Sequence, residues 1–189
     1  MKLTADQIPA LLDDFGAANA ELKALALQAP SHWNRGLPGK WTLGQHVDHV
    51  GLMEGLSAAR VEEAVELLRE GRLPPRPGRG LLQKWFVALI TGSRFPRGGS
   101  PPAEGRPLAT RDRDAVFARL DDGLRRHREA TGGLSRDEQE RVWFWNPYTK
   151  FRWHYSLPEI LRVHANHARH HLRQCAEILV AAGIAAVAK

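Results

Sequence analysis

Four segments of this chain carry apolar residues at helical spacing, and no stretch alternates convincingly with a period of two. In the first, Ile8, Leu11, Leu12, Phe15, Leu22 and Leu25 fall on one stripe. Asp6 is the expected N-cap, because it places Pro9 in the first turn, where a missing N–H costs little; Pro30 ends the segment. The second opens on Thr42-Leu-Gly-Gln45, a capping-box pattern, and runs to about Gly71 with Val50, Met53, Leu56 and Leu67 among its apolar positions. The third spans about Arg113 to Thr131, with Val116, Phe117, Leu120 and Leu124 inward and Gly132-Gly133 as its stop. The fourth opens on Ser156-Leu-Pro-Glu159, another capping box, and ends near Gly183. Four such helices in 189 residues predict an all-α four-helix bundle, with a single domain over residues 1–189.

The connections are unequal. A long Gly/Pro/Arg-rich insertion, residues 72–112, separates helices 2 and 3. Within it Leu82, Trp85, Phe86 and Leu89 share a face, so Leu81–Thr91 is expected as a short helix. A link this long usually carries a function or is partly mobile, and it also suits a crossover between parallel neighbours. The stretch Arg69–Arg113 holds ten Lys/Arg and three Asp/Glu, against a net charge of +6 for the whole chain, so the remainder is close to neutral. Basic loops can hold nucleic acid through phosphates alone. This one has few exposed-looking aromatics for stacking, no helix-turn-helix pattern and no zinc-finger spacing, which disfavours nucleic acid. A dimer contact, or an entrance at Arg72, Arg76 and Arg79 that attracts an acidic cosubstrate, fits better.

Other classes are excluded more simply. Cys175 is the only cysteine, so there is no internal disulfide and no Cys-based zinc knuckle. The longest apolar run, Ile178–Ala188, has eleven residues and is too short to span a bilayer. Asp6, Asp13 and Asp14 stand where a signal peptide would need an apolar stretch, which leads us to expect a cytoplasmic protein without membrane contact.

The main chemical signal lies on the fourth helix, where His164, His167, His170 and His171 crowd into eight residues. On a helical projection Ile160, His164, His167, His171, Gln174 and Ile178 share one narrow arc with the apolar residues above and below, so these imidazoles point into the bundle; His170 lies at its edge. Unpartnered buried imidazoles are costly. His167 and His171, at i and i+4, can share one metal ion, with a third ligand from a neighbouring helix. Helix 2 offers His46 and His49. Three neutral imidazoles would leave one position open for water or substrate, as in catalytic sites. His46 and His164 each face inward one turn from a proposed ligand. Either could orient a ligand or act as a substrate-side acid/base, the alternative being a hydrogen-bonded core role. His32, His127 and His154 read as surface or loop residues.

Gly39-Lys-Trp-Thr42 followed by His49, together with His167-x-x-x-His171-x-x-Gln174, resembles the DinB/YfiT-like superfamily of metal-binding four-helix bundles. In that family a Trp-Ser/Thr pair opens the second helix and a ligand His follows eight residues after the Trp. The resemblance therefore selects His49 over His46, matches His167 and His171 to the other two ligands, and matches Gln174 to a trailing Gln beside them. Many relatives place two adjacent His at the first site, where this chain has Asp48-His49; Asp48 points off the inward arc and is not counted as a ligand. The resemblance implies a metal-dependent enzyme, a transferase or isomerase acting with a low-molecular-weight thiol cosubstrate such as mycothiol or bacillithiol. Alternatives are a metal-dependent hydrolase or a non-catalytic metal-binding or interaction protein. Cys175 lies off the metal arc, so a nucleophile would come from outside. Zinc and nickel suit imidazole ligands best, and iron also fits. Relatives often dimerise, which implies a homodimer.

Seven of the thirteen residues from Trp143 to Tyr155 are aromatic. These rings are expected to cap the end of the bundle. They could also form a wall of the substrate pocket, with Lys150 or Arg152 meeting an anionic group.

Overall fold

The computed structural model describes residues 3–95, 101–108, 112–149 and 151–184. Its long helices are α1 (Ile8–Gln28), α2 (Leu43–Arg69), α4 (Arg113–Thr131) and α6 (Leu157–Ala181), with two shorter ones, α3 (Leu81–Thr91) and α5 (Arg136–Arg141). The starts of α2 and α6 follow their local chemistry. Thr42 N donates to Gln45 Oε1 at 2.9 Å while Gln45 N donates back to Thr42 Oγ1 at 3.2 Å. Ser156 N donates to Glu159 Oε2 at 2.8 Å. The entry to α1 differs from expectation. Asp6 sits inside a short 3₁₀ turn, Ala5–Gln7, and Thr4 precedes it with its N–H donating to Gln7 Oε1 at 3.1 Å. The cap is thus moved two residues upstream of Asp6, with Pro9 still in the first turn of α1.

The fold is mostly helical rather than wholly so. β1 (Trp143–Trp145) and β2 (His154–Ser156) pair antiparallel, with Phe144 opposite Tyr155. Strands of three residues are too short to display a period, which is why the sequence shows none.

Contacts between the long helices fix their directions. Asp48 meets Arg119, Glu54 meets Gly123 and Ser57 meets His127, so α2 and α4 run parallel. Asp14 meets Arg162, Phe15 stacks on His164 and Glu21 approaches Arg169, so α1 and α6 are parallel too. The two pairs oppose each other, as His46 beside His171 and Ser57 beside His164 show. A parallel pair cannot be joined by a tight turn, because the chain must return along the whole length of α2, about 40 Å for its 27 residues. Residues 70–112 make that return. On the way α3 lies on α6, where Asn166 Nδ2 donates to the carbonyls of Ile90 and Thr91 at 3.2 and 2.8 Å.

The core runs through all four long helices, with Phe15, Leu22, Val47, Val50, Val61, Leu120, Ile160 and Leu161 fully enclosed. Each such side chain stabilises the fold by about 1.5–3 kcal/mol. Among the described residues no helix is long and apolar enough to cross a membrane.

Candidate metal centre

The first turns of α2 and the middle of α6 meet because those helices are antiparallel, and their histidines meet with them. His49, His167 and His171 each present one ring nitrogen, and these atoms lie within 4.8 Å of one another. The rings pack edge to face, with centroids 4.6 to 5.1 Å apart. Nε2 of His171 stands 3.1 Å from Nε2 of His167. Trp41, just before the Thr42 cap, lays its indole 4.7 Å from the His49 ring and 6.1 Å from that of His171.

The outer nitrogens of two of these rings are anchored. His49 Nδ1 is 2.6 Å from the Gly105 carbonyl and donates to it, which leaves Nε2 as the lone-pair nitrogen. His171 Nδ1 is 2.9 Å from Nδ1 of His46, so its Nε2 is the one turned toward His167. Burial, aided by the neighbouring imidazoles, pushes His167 and His171 well below the ordinary histidine value. Burial also lowers His49, against the opposing pull of its Gly105 bond and Asp48. All three are therefore neutral at pH 7, the form that binds metal.

These residues fit a divalent ion. Imidazole nitrogens held 2.0–2.1 Å from one tetrahedral ion stand about 3.3 Å apart, close to the 3.1 Å between His167 and His171. Two lone pairs facing each other at that distance repel unless a proton or a cation lies between them. Gln174, one turn beyond His171, adds a buried Oε1 with no partner among the described residues. The cluster lines a solvent-open cavity of about 530 Å³, together with Lys40, His170 and Glu177.

The other expected residues distribute clearly. His46 is buried beside the cluster and holds His171, with its own pKa lowered to about 4, chiefly by burial. His164 is not part of the cluster. It lies in the core between Phe15 and His127, with Nε2 2.5 Å from Ser57 Oγ and Nδ1 unpartnered among the described residues. Asp48 faces α4, where its carboxylate pairs with Arg119 and accepts from Leu108 N. Cys175 is buried and its thiol is pushed up to about 12. In the aromatic segment Trp143, Phe144 and Tyr155 are buried, while Tyr148 lines the cavity and donates to the Met53 carbonyl at 2.8 Å. Arg152 stacks over Trp145, and Lys150 lies outside the described residues.

Three expectations need correction. His127 is not on the surface: it is fully buried, with Nδ1 2.7 Å from the Gly123 carbonyl and Nε2 3.1 Å from Ser57 Oγ. Val116, Leu120, Gly123 and His127 form one stripe, so the spacing could have revealed this. His154 is buried too, between Arg79 Nε at 3.2 Å and Gln83 Nε2 at 3.3 Å, partners that come from the distant connection. Arg79 is not an exposed anion-capturing group. Its guanidinium makes two 2.6 Å bonds to Glu159 and a third, of 2.9 Å, to the His154 carbonyl. Arg72 pairs with Glu70 at the surface. Residues 96–100 and 109–111 of the basic stretch lie outside the described residues.

Sequence reasoning missed Gly105, whose contribution is a backbone carbonyl and leaves no pattern. A Cβ there would stand 2.5 Å from Met53 Sδ, so any larger residue at 105 would push the Met53 side chain aside in the cavity wall. It also missed Glu54, fully buried on the α2 stripe with Oε2 3.0 Å from Asn19 Nδ2.

No curated protein matches the chain. Among solved structures it is similar to YfiT from Bacillus subtilis, described as a probable metal-dependent hydrolase with an unusual four-helix bundle topology. The superposition covers 98% of this chain and 93% of that one, with a TM-score of 0.65 at 17% identity. At that identity the likeness shows the fold: the parallel pairing of α1 with α6 and α2 with α4 belongs to a known helical arrangement. The model of the DinB superfamily matches residues 14–175, from α1 through both histidine-bearing helices, and the chain belongs to that superfamily.

Proposed function

We propose that this chain is a metal-dependent enzyme in which His49, His167 and His171 hold one divalent ion, and that it acts as a transferase or isomerase with a low-molecular-weight thiol. The observation that carries the reading is the convergence of three neutral imidazoles in the wall of a solvent-open cavity of about 530 Å³. Zinc and nickel suit this ligand set, as does iron. When bound, such an ion supplies Lewis acidity that favours the thiolate form of an incoming thiol at neutral pH.

The chain's own groups do the positioning. Gly105 and His46 fix the rings of His49 and His171, and the Trp41 indole covers one side of the cluster against water. The buried Cys175 thiol, held protonated, supplies no nucleophile, which favours an external one. Residues 72–112, read as an insertion, furnish Phe95, Pro101 and Pro102 to the cavity wall as well as the Gly105 carbonyl.

A second reading, hydrolysis by an activated water, is supported by the description of YfiT as a probable metal-dependent hydrolase. The test is to load the protein with zinc or nickel and follow two reactions: conjugation of bacillithiol or mycothiol to monochlorobimane, and thiol-free hydrolysis of p-nitrophenyl acetate. Metal-dependent conjugation with one thiol consumed per adduct supports the transferase. Hydrolysis alone supports the second reading, and neither reaction in the loaded protein would overturn both.

A further inference from the structure

The cavity above the imidazoles does not end at them. His167, Met53 and Phe95 also line a second chamber of about 150 Å³, so His167 stands between two spaces. The inner walls are Phe86 and Ile90 of α3, Val163 of α6 and Tyr155 of β2. Ile90, Val163 and Tyr155 are buried, and α3 is held in place by the Asn166 bonds to its last carbonyls and by the Arg79–Glu159 pair just before it.

Most polar groups around this chamber already have partners. Tyr148 OH donates to the Met53 carbonyl, and Asn146 binds Tyr155 OH through Nδ2 and Tyr148 N through Oδ1. His164 is the exception, with its Nδ1 unpartnered among the described residues. The surface that faces the chamber is nevertheless mostly apolar, which favours a hydrocarbon group there. Its volume, about 150 Å³, suits a group of benzene size.

We propose that the inner chamber seats a small apolar substituent of the substrate, of phenyl or branched-alkyl size, while the reacting group lies at the imidazole cluster. The inference rests on the proposed enzymatic reading for the reacting end only. α3 becomes the wall that sets substrate size, which gives the long connection between α2 and α4 a part in specificity.

Toluene is a suitable probe, with methyl-labelled protein observed by NMR in the metal-loaded and the chelator-stripped states. The expected result is saturable binding of one toluene per chain, shifting the Ile90 and Val163 methyl signals in both states. Ile90→Phe should fill the chamber and weaken toluene at least tenfold. Phe86→Ala, a milder change at a half-buried wall position, should enlarge the chamber and shift preference from toluene toward naphthalene. Absence of saturable shifts at these methyls in the wild type, or toluene binding unaltered by both variants, would overturn the proposal. Metal content measured in parallel separates the two readings: a metal-free protein that binds toluene leaves the chamber standing, and a metal-loaded one that does not removes it.

Discussion

His46 Nδ1 lies 2.9 Å from His171 Nδ1, so one buried imidazole fixes the ring of another and turns its Nε2 toward His167. Partners of this kind orient ligand rings and fix their tautomers. His46→Ala should therefore lower metal affinity by about 10–100-fold. Competition against a chromophoric chelator measures it, and unchanged affinity would assign His46 to packing alone.

Arg79 ties the long connection to the start of α6. Both sides of its pair with Glu159 are mostly enclosed, with side-chain exposures of 15% and 17%. Arg79→Ala takes the donor from Glu159 Oε1, while the His154 carbonyl keeps Gln83 Nε2, at a cost of about 1–3 kcal/mol. Amide exchange should rise across α3 and the hairpin while α1 stays protected. Uniform protection in the variant would contradict this anchoring role.

His127 sets a sign for stability against pH. Burial lowers its pKa from 6.5 to about 4, so the unfolded chain takes up a proton that the native chain refuses. Its stabilising contribution is complete above 6.5 and is lost as pH falls toward 4, by up to about 1.4 kcal/mol per pH unit. In urea melts of metal-free protein, His127→Gln should flatten the decline between pH 6.5 and 4. An unchanged slope would place the proton elsewhere.

Glu54 has the opposite sign. Complete burial raises its pKa well above 4.5, so its contribution is full below that value and is lost as pH rises. Glu54→Gln keeps an acceptor for Asn19 and should be more stable than wild type at pH 7, with the gain shrinking toward pH 4.5. A variant less stable at pH 7 would mean that the carboxylate is charged and paired in the native state.

Much of the fold was legible because its signals are local. Thr42 with Gln45 and Ser156 with Glu159 mark helix starts within four residues, and α3 was visible from Leu82, Phe86 and Leu89. The histidines that converge were legible as a set, since i and i+4 spacing on α6 puts His167 beside His171. What anchors them was not. Gly105 acts through its carbonyl, 56 residues from His49, and a backbone atom has no residue type to read. His127 lies among Arg125, Arg126 and Arg128, whose charge masked the apolar stripe it shares with Val116 and Leu120. The parallel pairing of α2 with α4 arises from contacts such as Glu54 against Gly123, which no single segment encodes.

Metal content of untagged protein, measured by mass spectrometry beside the His167→Ala/His171→Ala double mutant, tests the central claim most directly. Removing two of three ligands should abolish binding, so about one ion per wild-type chain and none in the mutant is the predicted result. No metal in the wild type after reconstitution, or equal metal in both proteins, would contradict it and leave the imidazoles as a hydrogen-bonded core network.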